Sequence, residues 1–152
     1  MRYRHSQVLD LAEISKDTLR YWKAHMAPLR QKDGRSQSYT FAEIVAIGAV
    51  AQAVGLFGLG VERLGPMADQ LFALVSKAIA PGRDAGMLFI GAESITWGTE
   101  IPEIAGCTLI LPLNPVVARI RERIATFDVP EAPPIQYELP MMNQRIIGLT
   151  RR

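Results

Sequence analysis

Lys16, Asp17, Arg20 and Lys23 lie on or near one face of a helix by their i, i+3, i+4 and i+7 spacing, while Leu19 and Trp22 lie on another. A helix that is apolar behind and long and polar in front suits insertion into a DNA groove. There, guanidinium and ammonium groups reach base edges or phosphates. Arg20 can serve either end of that range, and a phosphate contact would position the chain without reading sequence. The plainer alternative is a solvated helix face. Trp22 is expected in the core rather than as a stacking platform. A second basic group, Arg30, Lys32 and Arg35, flanks the turn dipeptide Asp33-Gly34. Other chemistry finds little support. There is no glycine-rich phosphate loop, no Ser-His-Asp set, and no paired carboxylates beyond scattered ones such as Glu100 and Glu103. The expectation is no enzyme, no catalytic residue and no cofactor. His5 and His25 have no partner that would make a metal site, so none is expected. Cys107 precedes an apolar run and has no basic neighbour, and so reads as a buried small side chain.

The elements that would carry these residues follow from patterning. Ser6 to Glu13 reads as a short helix with Ser6 at its cap. Ser15 caps a second helix holding Thr18, Leu19, Tyr21 and Trp22, and only Glu13-Ile14 remains for the joint. Two short helices on a tight joint form the helix-turn-helix pattern. Leu29 to Gln31 and Gln37 to Tyr39 are then the strands of a hairpin wing around Asp33-Gly34, with Tyr39 packed inward. Thr40 and Glu43 form a capping box for a helix from Phe41 to Val54 that stops at Gly55. Another helix runs from Leu59 to Ala80, kinked or split at Pro66 and ended by Pro81-Gly82. Ile44 to Val61 carries no charge. That length is close to the roughly 20 apolar residues of a membrane span, but the glycines that end it favour a buried helix and a turn.

The order helix, turn, helix, wing, helix, helix resembles the DNA-binding domain of the MerR family. The likeness rests on Thr18-Leu19-Arg20-Tyr21-Trp22, similar to the family's T-L-R-Y-Y/W signature on the recognition helix. Tyr39-Thr40-Phe41-Ala42-Glu43-Ile44 resembles its aromatic-Ser/Thr-x-x-acidic-apolar run, and Gln52-Ala53-Val54-Gly55-Leu56 its helix end before an L-G-F/Y segment. About residues 3–74 are covered. The resemblance implies DNA contacts from Ser15, Lys16, Asp17, Thr18, Arg20, Tyr21 and Lys23, with Tyr21 and wing arginines reaching phosphates. The sequence departs from the pattern at the joint, where Glu13 replaces the usual glycine. Ser36-Gln37 likewise replaces the wing's Tyr-Arg, leaving Arg30 or Arg35 to take over that contact. No long coiled-coil helix and no cysteine cluster of the metal-sensing kind is visible, so neither effector nor mode of activation carries over.

Charge distribution agrees with a polyanionic partner at one end. Net charge is +2, yet residues 1–40 hold eight Lys/Arg against four Asp/Glu, and the rest nine against eleven. A single cysteine excludes an internal disulfide framework. The N-terminus lacks the apolar run of a signal peptide, so a cytoplasmic, nucleoid-associated bacterial protein without a membrane role is expected. After Gly86 short strand candidates appear at Met87–Ile90, Ser94–Trp97 and Thr108–Leu111, forming a small sheet expected to cover a helix over Val116–Phe127. Four prolines after Asp128 predict an extended tail. The fold class is therefore mainly α: a winged helix-turn-helix over residues 1–80, a small α+β dimerisation or effector module over 81–127, and a tail over 128–152. Expected partners are double-stranded DNA, a second copy in a homodimer, and, by the resemblance, RNA polymerase. The rival readings are an architectural or excisionase-like DNA accessory factor, and a winged helix that docks a protein.

Overall fold

The computed structural model describes residues 1–32, 38–104 and 106–127. Strand β1 (Arg2–Arg4) leads into helix α1 (His5–Ala12), α2 (Lys16–His25) and the single turn α3 (Ala27–Arg30). Strand β2 (Ser38–Thr40) precedes α4 (Phe41–Phe57), then α5 (Val61–Leu64), a 3-10 turn at Gly65–Met67 and α6 (Ala68–Ala78). Strands β3 (Met87–Ile90), β4 (Ile95–Gly98) and β5 (Leu109–Pro112) precede α7 (Asn114–Phe127). The architecture is mainly helical with two small antiparallel sheets, one of β1 and β2 and one ordered β4-β3-β5.

Helix α4 is the centre of the molecule. Ile44 to Val50 are buried without interruption, which explains the first part of the uncharged run: it is apolar on every side because every side is covered, whereas Leu56 and Phe57 at the helix end are exposed. No helix among the described residues is long and apolar enough to cross a membrane. Helices α1, α6 and α7 pack around α4. Gly48 sits where α7 crosses: a Cβ there would stand 3.0 Å from Val116 Cγ1 and 3.3 Å from Ile120 Cδ1, so a larger residue would push the helices apart. One hydrophobic core runs from Tyr3 through α4 and α6 to Leu88, Leu111 and Ile120, and so continues across residue 80.

Several expected boundaries move, each for a physical reason. Helix α1 begins at His5 with Arg4, not Ser6, at its cap, and the Gln7 Oε1 accepts the Arg4 N–H at 2.9 Å. Leu29 to Gln31 is not a strand. Pro28 sits in the first turn of α3 and Leu29 is buried, while Arg30 and Gln31 close helical hydrogen bonds to Met26 and Ala27. The partner of β2 is instead the N-terminal β1, with Tyr3 opposite Tyr39 and both buried. The Asp33-Gly34 turn, Arg35 and Gln37 lie outside the described residues, as does the tail from Asp128. Helix α4 continues past Gly55, which faces open space. It ends at Gly58, whose φ of 65° closes the terminal hydrogen bonds. The split at Pro66 occurs as predicted, within the 3-10 turn. The small sheet packs against α6 through β4, whereas α7 lies on α4 and α1, so the expectation that the sheet covers the last helix is corrected. The apolar face of that helix, Val116, Val117 and Ile120, is taken by the central core instead.

Candidate nucleic-acid interface

The local sequence sets α2 up as an independent, well-capped helix. Ser15 is extended, and its Oγ accepts the Thr18 N–H at 3.0 Å and lies 2.8 Å from the Thr18 hydroxyl. Both predicted contact residues thus have a structural task at the cap. Two residues earlier Glu13 adopts φ 55° and ψ 43°, the left-handed conformation in which glycine is favoured. The tight joint expected from the sequence therefore forms without glycine. Arg123 on α7 supplies part of the compensation: it donates to the Asp10 carbonyl at 2.9 Å and pairs with the Glu13 carboxylate. Arg119 stands 3.7 Å from the same carboxylate.

Leu19 and Trp22 bury one side of α2, and Tyr39 joins them in the core. The opposite side holds Lys16, Asp17 and Arg20 exposed, with Lys23 half-buried. Arg20 and Asp17 form an ion pair of 2.8 Å with side chains 79% and 82% exposed. Such a pair is worth about 0.2–1 kcal/mol, so Arg20 is pre-oriented but easily released to an external anion. The field of α2 reaches beyond the helix. His5 has its pKa lowered, first by burial and then by the charges of Lys23 and Lys16. Arg2 and Arg4 on β1 are exposed as well, and the Arg2 guanidinium donates to the Ser38 hydroxyl at 3.1 Å. Neither was foreseen. The alternation Arg2-Tyr3-Arg4 signals a half-buried strand, but three residues are too few to separate from noise.

The remaining predicted residues are committed elsewhere. Tyr21 is 47% exposed, and its hydroxyl donates to the Glu62 carboxylate on α5, while its ring lies 4.5 Å from that of His25 at a tilt of 56°. That bond raises the Tyr21 pKa and is the leading cause holding the Glu62 carboxyl below the usual range. Nothing in the sequence links two residues 41 apart, so Glu62 could not be anticipated. Arg30 donates to the Ala24 carbonyl at 2.7 Å, closing the last turn of α2. Lys32 pairs with Glu43 at 2.8 Å, reaches the Ser38 carbonyl at 3.3 Å, and sits 5.8 Å above the Tyr39 ring. It ties β2 to the start of α4 rather than facing outward. The structure thus brings Ser15, Lys16, Asp17, Thr18, Arg20 and Lys23 together on α2. Tyr21 turns to α5 and Lys32 to α4.

Outside this face little is assembled for chemistry. Cys107 is exposed, not buried as expected, because it lies in the turn before β5 rather than on the strand itself. Among the described residues no three His, Cys, Asp or Glu side chains group closely enough to share a metal ion. No family model, curated protein or solved structure matches the chain.

Proposed function

We propose that the chain is a DNA-binding transcription regulator of MerR-like type that binds operator or promoter DNA as a homodimer, with α2 as its reading helix. The observation that carries this reading is α2 itself. It follows α1 through the three residues 13–15, of which Glu13 is left-handed. It buries Leu19 and Trp22 behind and presents Lys16 and Arg20 in front. Arg2 and Arg4 on β1 are exposed and would add backbone contacts of their own. A homodimer would place two such helices on a palindromic operator, and RNA polymerase would be the downstream partner if promoter distortion is the mode of action.

The test is selection of bound fragments from random and genomic DNA at about 50 and 200 mM salt, with Arg20→Ala in parallel. The expected result is a shared palindrome in the selected fragments, with Arg20→Ala losing about 1–3 kcal/mol of binding. Strongly salt-dependent binding with no sequence preference would replace the regulator with an architectural factor. No binding at either salt would leave α2 as a surface for docking a protein.

A further inference from the structure

We infer that β5 is the edge on which two copies of this chain join, its outer side pairing antiparallel with the same strand of a second copy across a two-fold axis. The inference rests on the homodimer reading above and gives that dimer its contact. It does not depend on DNA binding.

The backbone of the small sheet shows which groups are left over. Bonds across an antiparallel ladder join opposed residues and alternate along a central strand between its two neighbours. The Gly91 N–H donates to the Ser94 carbonyl at 2.9 Å, so β3 turns Phe89 and Met87 to β4. The Leu113 N–H donates to the Gly86 carbonyl at 2.9 Å, so β3 turns Leu88 and Ile90 to Leu111 and Leu109 of β5. The N–H and C=O of Ile110 therefore point away from β3, as do those of Thr108 and the carbonyl of Pro112. Among the described residues nothing bonds them, and β3 is the element that packs closely on β5. The opposite edge is covered: β4 lies against α6, where Gln70 Oε1 stands 3.5 Å from the Ile95 nitrogen. Strand β5 carries no charge, and no bulge interrupts its register with β3. Such an edge is open to another strand.

Its features fit a second copy. With Ile110 on the axis, each Ile110 N–H meets the other copy's Ile110 carbonyl, and each Thr108 N–H meets the other's Pro112 carbonyl. Pro112 has no N–H to offer, but it falls at the end of the pair. The two ends of β5 also carry opposite charge. The loop leading in holds Glu100 and Glu103 and no basic residue, whereas the helix leading out holds Arg119, Arg121 and Arg123 against Glu122. Antiparallel pairing about a two-fold axis brings each end towards the unlike end of the other copy. Ile101 and Ile104 in the same loop are 62% and 38% exposed, and supply apolar area that a strand pair alone lacks.

Sedimentation of the full chain over a range of concentrations, with residue-resolved amide exchange, tests this. The Ile110 amide is expected to exchange about tenfold or more slower in the dimer than after dilution to monomer. Leu109 and Leu111, bonded to β3, stay protected in both. Ile110→Lys sets two like charges opposite each other on the axis and should raise the dimer Kd about tenfold or more. Thr108→Pro removes an outward N–H while keeping the ladder to β3, and should act in the same direction. Leu56→Lys, at the exposed end of α4, is the control and should leave Kd within about twofold. An unprotected Ile110 amide in a sedimenting dimer would overturn the inference and leave the homodimer reading standing. So would folded Ile110→Lys and Thr108→Pro chains that dimerise like the native one. Exchange in the native chain decides by itself should either variant fail to fold. A native chain that is monomeric at every concentration would overturn both readings.

Discussion

The joint before α2 offers the sharpest test of the local physics, because its left-handed residue is a glutamate. Glu13 is the one non-glycine residue with positive φ among the described residues. The conformation costs an L-residue about 1–2 kcal/mol. Glu13→Gly removes that strain, but the freer unfolded chain takes back about 0.5–1 kcal/mol. It also deletes the pairs with Arg119 and Arg123, whose side chains are 36% and 37% exposed against 45% for Glu13. Partly exposed pairs of this kind contribute about 0.2–1 kcal/mol each. The three contributions nearly cancel, so Glu13→Gly should lie within about 0.5 kcal/mol of the native chain. Glu13→Ala loses the same pairs and keeps the strain. It should be less stable than native by about 1 kcal/mol, and less stable than the glycine variant by a similar margin. Urea unfolding of the three chains, compared at equal slope, reads these differences directly. If alanine proved as stable as glycine, the joint would not be a strained left-handed turn. The account of how the chain dispenses with glycine would then be wrong.

Two further substitutions probe the packing that places α2 and β2. Gly65→Ala drives a methyl into the His25 carbonyl, which cannot rotate away, and should cost about 1–3 kcal/mol. Gly55→Ala, which meets nothing within 4 Å in a helix, should instead stabilise by about 0.4–1 kcal/mol; thermal unfolding of both variants decides. Burial pushes the Glu43 carboxyl up. The bonds from Lys32 and Thr40 outweigh it, so its pKa ends below the ordinary 4.5. A depressed folded pKa gives stability that is present above the unfolded value and lost as pH falls through the folded one. Unfolding free energy should therefore fall on acidification below about pH 4.5 more steeply in the native chain than in Glu43→Gln. Equal slopes would refute the role of the Lys32 pair.

What could be read from the sequence was what depends on near neighbours. The Ser15 cap, the Thr40–Glu43 capping box, the break at Pro66 and the burial of Trp22 and Tyr39 each follow from residue type within one or two turns. The errors came where a distant partner decided. Leu29 to Gln31 reads equally well as a strand or a helical turn, and the competition was settled by β1, which supplies the edge that β2 needs. Gly55 looked like a helix stop because glycine often is one. Only the absence of anything beside it, and the left-handed Gly58 three residues on, show why the helix continues. For the candidate site the same division holds. The face of α2 follows from spacing alone, while the engagement of Tyr21 by Glu62 depends on how separate elements meet.

The segment after residue 86 illustrates why a C-terminal extension can matter to a helix it hardly touches. Asn114 anchors the start of α7, accepting the Ala85 N–H at 2.9 Å and donating to Asp84 at 2.5 Å, and so fixes the helix to the segment that leads into β3. From that fixed end α7 runs across α4 over Gly48 and brings Arg119 and Arg123 to the joint between α1 and α2. A glycine joint would hold its left-handed turn without help, whereas a glutamate joint gains from an outside partner for its side chain and for the carbonyls beside it. The substitution that departs from the expected pattern and the basic residues on the last helix are thus two halves of one arrangement. It makes the direction of α2 depend on the placement of α7. Loss of Arg123 would free the Asp10 carbonyl and leave the Glu13 carboxylate with Arg119 alone, a larger disturbance of the joint than either contact alone suggests.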